Sequence, residues 1–226
     1  MEIARILCPV EPSPESRGVL DQAIWLARVH RAALSVLHVH HLELVPSGDG
    51  EPTVPDLGTT GTLSQRQQAD LRLGIDAFVT DRTRGLHFDM LLDEHPSISD
   101  AIVERAAAID ADLVVIGTGH DARKPEAHMS SIAERVVHAV SCSVLTVPGN
   151  GPATSIAPPS RIVCPIDFSA SSILALMHAT SLAQTTSAQL AVVHVVNLSE
   201  IAGSAYDFDA HREARIEPAR ELTAGS

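Results

Sequence analysis

The chain repeats itself. Residues Arg5 to His40 align without a gap onto Arg161 to Val196, and fifteen of those positions are identical. They include Arg5/Arg161, Cys8/Cys164, Pro9/Pro165, Ser13/Ser169, Ser16/Ser172 and His38/His194, with aliphatic pairs such as Leu20/Leu176 and Ala27/Ala183 between them. A duplicated stretch of this length restricts the fold to one that holds the same local unit twice.

The unit reads as strand, helix, strand. RILCPV is a short apolar run without polar alternation, the pattern of a strand covered on both faces. Ser13 or Ser16 is expected to cap the helix that follows, with Pro14 tolerated in its first turn. Val19, Leu20, Ala23, Ile24 and Ala27 recur at helical spacing and predict its buried stripe. ALSVLHV then reads as a second buried strand, which completes a βαβ unit with a right-handed crossover.

The first copy continues past this unit. Residues 41–63 lack periodicity and are rich in Gly, Pro and Thr, which predicts a long surface loop. A polar amphipathic helix is expected over 64–83, a third strand over 86–92, a helix from Ser97 to Ala108 and a fourth strand over 112–117. A last helix from Ser130 to Val140 precedes a fifth strand over 143–148. Asp93, Glu94 and His95, just beyond the third strand, read as a solvated loop. Alternating strands and helices imply an α/β fold: an open parallel five-stranded Rossmann-like sheet with helices on both faces. The expected organisation is a complete domain over 1–149, a linker over 150–160 and a partial second copy over 161–226. That second copy holds strand, helix and strand plus one helical segment around Asp209 to Leu222, without third, fourth or fifth strands.

Composition excludes several classes of partner. With 28 acidic against 16 Lys and Arg residues, the formal net charge is −12, and no basic run is present. Neither nucleic acid nor an anionic membrane surface is therefore expected as a partner. No apolar run approaches the roughly 20 residues of a membrane span. The N-terminus has no basic segment leading into a long apolar one, so no signal peptide is expected. Cys8, Cys142 and Cys164 are odd in number, widely spaced and set in apolar stretches. They read as reduced buried thiols, and the chain as cytoplasmic.

ILCPVEPSPES at the first strand and turn, LSVLHV at the second strand, ADLVVIGT, and SSIAERVVHAVSCSVLTVP together resemble the universal stress protein family, tandem type. The resemblance covers residues 3–148 and, again, 160–196. It implies strand order 3-2-1-4-5 and a nucleotide crevice between the ends of the first and fourth strands. It also implies a non-enzymatic stress-response regulator acting through an unidentified protein partner, and a homodimer paired through residues 143–148. An exposed strand edge of that kind is usually covered. The positions carried over as nucleotide-binding are Pro9, Val10, Glu11, Val39, Gly117, Ser130 and Ser131.

The family members that bind ATP carry Gly-x-x-Gly, nine residues, then Gly-Ser or Gly-Thr, so that backbone amides meet the phosphates at a helix N-terminus. Gly117 and Ser131 match, whereas His120 and Ser130 stand where the other two glycines belong. Glu11 stands where Asp is usual, and the second copy keeps Asp167. A side chain at position 120 obstructs the approach to phosphate; Arg123 and Lys124 in the same loop carry compensating charge. The expectation is an adenine-nucleotide site with weakened affinity for ATP, with an ATP switch or slow ATP hydrolase as the alternative.

Metal binding and nucleophilic catalysis are the other chemistries these polar residues could serve. His40, His120 and Glu11 are of the right type for a zinc site, and His38, His40 and His41 cluster nearby; polar strand ends facing water account for the same residues. No G-x-S-x-G elbow surrounds any serine, so no catalytic residue is assigned.

Overall fold

The computed structural model describes residues 3–42, 45–46, 52–53, 65–80, 82–83, 85–119, 129–148 and 158–196. They fall into two compact units, Met1–Ala157 and Pro158–Ser226. The first unit runs β1 (Arg5–Pro9), α1 (Arg17–His30), β2 (Ala33–His41), β3 (Val45–Pro46), β4 (Pro52–Thr53) and α2 (Gln65–Thr80). It continues with β5 (Phe88–His95), α3 (Ile98–Ala108), β6 (Leu113–Gly117), α4 (Ser131–Ala139) and β7 (Ser143–Val147). The segment expected as a loop over 41–63 gives up His41 to β2, and its described pieces β3 and β4 pair antiparallel with each other.

The sheet has the order β5-β2-β1-β6-β7, and every adjacent pair is parallel. Counting only these five strands, that is the 3-2-1-4-5 order. Alternation along the central strand divides the core in two. Ile6 and Cys8 pack with Leu20 and Ile24 of α1 and with Ile75 and Val79 of α2. Leu7 points the other way, packing with Ile102 of α3, Val136 of α4 and the inward residues of β6. All five residues expected on the inner stripe of α1 are buried. Each large one contributes about 1.5–3 kcal/mol.

Asp21 is the polar exception on that helix. It is 9% exposed and takes both its oxygens to the Arg82 guanidinium, just past α2. The pair ties the end of α2 to the middle of α1.

Two local expectations change. Neither Ser13 nor Ser16 caps α1: Pro14–Ser16 form a single 3-10 turn running into the helix, without a side-chain cap bond. The two hydroxyls instead lie 3.4 Å apart. And β5 does not stop at 92. It runs to His95 because β2 itself extends to His41, which keeps the ladder paired through His41↔His95. Asp93, Glu94 and His95 are thus strand residues rather than loop. Arg105 holds Asp93 with two donors, Gln68 Nε2 donates to Glu94 at 2.7 Å, and His95 Nδ1 lies 2.8 Å from the Ser97 carbonyl.

The second unit contains β8 (Arg161–Pro165), α5 (Ala170–Thr186) and β9 (Gln189–Val193), with β8 and β9 parallel. Its register, Arg161↔Gln189 through Pro165↔Val193, repeats the Arg5↔Ala33 through Pro9↔Leu37 register of the first. Here Ser169 does cap the helix, accepting from the Ser172 amide at 3.2 Å. The apolar residues, however, are uncovered: Val163 is 66% exposed and Val192 48%, where their first-unit counterparts Leu7 and Val36 are fully buried. The helical segment expected around Asp209 to Leu222 lies outside the described residues.

Burial pushes the Cys8 thiol up to about 12, and it raises that of Cys142 as well. Cys8 should therefore resist alkylation in the native protein. Because its folded pKa lies above the unfolded value, its stabilising contribution is complete below about pH 9 and is lost as pH rises toward 12. Cys8→Ala should flatten that alkaline limb in denaturation curves. Arg82→Ala, which leaves Asp21 buried and unpaired, should lower unfolding free energy by about 2–3 kcal/mol. Arg135→Ala, which removes an exposed pair with Asp100 at 3.3 Å, should change it by no more than about 0.5 kcal/mol. Urea titrations of the two variants check both figures.

Candidate functional site

The site arises where two neighbouring strands part. β1 pairs with β2 along its whole length, but with β6 only at Ile6↔Leu113 and Leu7↔Val114. At the amino end the two strands are clamped: Asp112, just before β6, accepts from the Ala4 and Arg5 amides at 2.9 and 2.8 Å. Those donors hold the Asp112 carboxyl below its usual range. At the carboxyl end no pairing joins Cys8 and Pro9 to β6, and the chain directions diverge toward α1 on one side and α4 on the other. This is the reversal of winding at which open α/β sheets bind ligands.

A cavity of about 770 Å³ opens there. Pro9, Val10 and Glu11 form one lip, and Val39 stands at the end of β2 with His38, His40 and His41 beside it. Gly117, Gly119 and Ser130 form the opposite lip, and Ile98, Ile102 and Ile132 line part of its wall. Of the residues proposed from sequence, Pro9, Val10, Glu11, Val39, Gly117 and Ser130 thus face one space. Ser131 is the first residue of α4, next to that lip.

The far lip depends on two glycines. Gly117 ends β6, and a Cβ there would lie 3.1 Å from Val19 Cγ2 of α1. Gly119 has φ +71°, and a Cβ on it would come within 3.0 Å of Ser130 Cβ. That tight approach lets Ser130 donate its amide to the Thr118 carbonyl at 2.8 Å, closing the neck of the loop. Ser130 also caps α4, its hydroxyl accepting from the Ala133 amide at 3.2 Å. The helix therefore begins at the crevice with first-turn amides directed toward it, a setting that favours an anion.

Gly119 is the residue that spacing passed over. Its nearness to Gly117 gave the wrong interval for the motif, and its importance lies in backbone conformation, which only the turn reveals. His120, Arg123 and Lys124 lie outside the described residues. Among the described residues no group of three or more His, Cys, Asp and Glu side chains gathers closely enough to hold an ion; the zinc reading, which needs His120, lies outside them. Among the described helices, none is long and apolar enough to cross a membrane.

The doubly wound sheet, the crevice at its switch point and the helix N-terminus beside it define an open, Rossmann-like α/β protein. Comparison with known proteins makes the class specific. The family model "Universal stress protein family" matches residues 2–148 and 159–224, and the chain belongs to that family. Universal stress protein A homolog 1 of Coxiella burnetii is 27% identical over 152 residues, spanning 65% of this chain and 97% of that relative. Among solved structures, a functionally unknown protein of Pseudomonas aeruginosa PAO1 is 18% identical with a TM-score of 0.61, covering 94% of this chain and 67% of its own. The universal stress protein of Archaeoglobus fulgidus in complex with dAMP is 21% identical with a TM-score of 0.44, over 65% of this chain and 98% of that one.

Gly119→Ala should cost about 1–2 kcal/mol, since it combines strain at positive φ with the close approach to Ser130. Gly18→Ala, in open space within α1, should be neutral or stabilising by up to about 1 kcal/mol. Thermal unfolding of both variants separates a special backbone position from an ordinary glycine.

Proposed function

We propose that the first unit is a non-enzymatic regulatory domain of the stress response, cytoplasmic, which takes an adenine nucleotide in the crevice and acts through a protein partner. The carrying observation is the coincidence of the roughly 770 Å³ cavity with the N-terminus of α4 and the glycine neck. The aliphatic walls suit a flat base, while the helix end and backbone amides suit a phosphate. Pro9, Val10, Glu11, Val39, Gly117, Ser130 and Ser131 are the residues proposed to touch the nucleotide. Ser130 in place of glycine puts a side chain at the phosphate end, and its hydroxyl is already engaged as the helix cap. The reading is therefore of modest affinity for ATP, without turnover. We further propose pairing of two copies through β7, which is an outer strand of the sheet.

Isothermal titration of the full chain with AMP, ADP and ATP, with and without Mg²⁺, tests the nucleotide reading. Saturable binding between micromolar and millimolar concentration is expected, with no phosphate released on incubation with ATP. No saturable signal up to millimolar nucleotide overturns it, and steady phosphate release makes the protein a hydrolase instead. Light scattering at tens of micromolar protein checks the dimer; a monomer mass removes it.

A further inference from the structure

The two copies share one polar device at the same place. His38 Nδ1 lies 3.0 Å from the Val10 carbonyl, and His194 Nδ1 lies 2.7 Å from the Ile166 carbonyl. A carbonyl only accepts, so in each case Nδ1 carries the proton and donates. The backbone beside it also matches: Val10 donates its amide to Leu37 O at 2.8 Å, and Ile166 to Val193 O at 2.8 Å. The two shared serines, by contrast, bond differently in the two copies. The histidine bond is thus a feature of the strand–helix–strand unit in both copies.

The position of that bond has a consequence for the crevice. In a parallel ladder a residue that donates its amide to residue j takes at its carbonyl the amide of residue j+2. Val10 donates to Leu37, so the regular continuation would place the Val39 amide on the Val10 carbonyl. The His38 side chain occupies that acceptor instead. Val39 faces the same side of β2 as Leu37, by the two-residue period, and it lines the cavity. In the second unit the equivalent Val195 is 81% exposed.

We propose that His38 is a positioning residue that ends the β1–β2 ladder and turns the Val39 amide over to the crevice as a donor for a ligand acceptor; His194 does the same for Val195. The role in ligand binding rests on the nucleotide reading above, but the ladder-ending role is testable without any ligand. The Asn side-chain amide can take the place of Nδ1, whereas the Gln amide takes the place of Nε2 and Leu offers no donor.

Hydrogen exchange of the full chain followed by NMR tests the device. At about pH 8, both histidines should show Nδ1 protonated and Nε2 bare in long-range proton–nitrogen spectra. The Val39 amide should exchange readily in the native protein and in His38→Asn, and at least about tenfold more slowly in His38→Leu, where the ladder is free to close. A side chain with a merely stabilising role would give faster exchange on removal. Nucleotide affinity should stay within threefold in His38→Asn and fall roughly three- to tenfold in His38→Gln and His38→Leu, the range for one lost hydrogen bond. An Nε2–H tautomer, or Val39 exchange unchanged or faster in His38→Leu, overturns the proposal. If the native protein binds no nucleotide while the tautomer and exchange results hold, the function reading fails and the ladder-ending role stands.

Discussion

The first unit depends on how far β1 and β6 stay together. Their two-residue pairing, clamped at one end by the Asp112 carboxylate on the Ala4 and Arg5 amides, brings the two halves of the sheet side by side. A longer ladder would seal the sheet over Cys8 and Pro9. A shorter one would separate the α1 side from the α4 side. The clamp lies at the amino ends, so the divergence falls at the carboxyl ends, where helix N-termini also lie. Cavity, anion-favouring helix end and glycine neck all follow from that asymmetry.

The duplicated unit meets two fates. In the first copy, β5 and β6 flank it and three further helices cover it, and its aliphatic residues disappear into two cores. In the second, the same register, the same left-handed residue closing the helix and the same histidine bond are present, yet Val163 and Val192 stay in contact with solvent. Local structure is therefore a property of about 35 residues, while burial is a property of their neighbours. The difference between Leu7 and Val163 is not chemical, since both are aliphatic. It lies in whether helices and further strands cover the sheet face.

Much of the site was legible in the residues. Pro9, Val10, Glu11, Val39, Gly117 and Ser130 were carried over from the resemblance to the universal stress protein family, and the fold sets them around one cavity. Polar residues at strand ends were harder. Asp93, Glu94 and His95 resembled a loop because sequence shows charge but not the extension of β2 that keeps them paired, nor Arg105 and Gln68 reaching them from other elements. The serines before α1 resembled caps, and Ser169, the equivalent of Ser13, does cap α5; in the first copy Pro14–Ser16 form a 3-10 turn and neither serine caps α1.

What the sequence by itself determined was the strand–helix–strand unit, its duplication and a parallel sheet flanked by helices, the order of the strands being what the family resemblance implied. Apolar periodicity and chain connectivity allow few other solutions for such a pattern. What the tertiary structure alone decided was which backbone groups remain unpaired. Gly119 matters through a positive φ and a 3.0 Å approach, and His38 through a carbonyl it takes from the ladder. Neither is written in residue type or spacing, because hydrogen-bond competition depends on which groups the finished fold brings within reach.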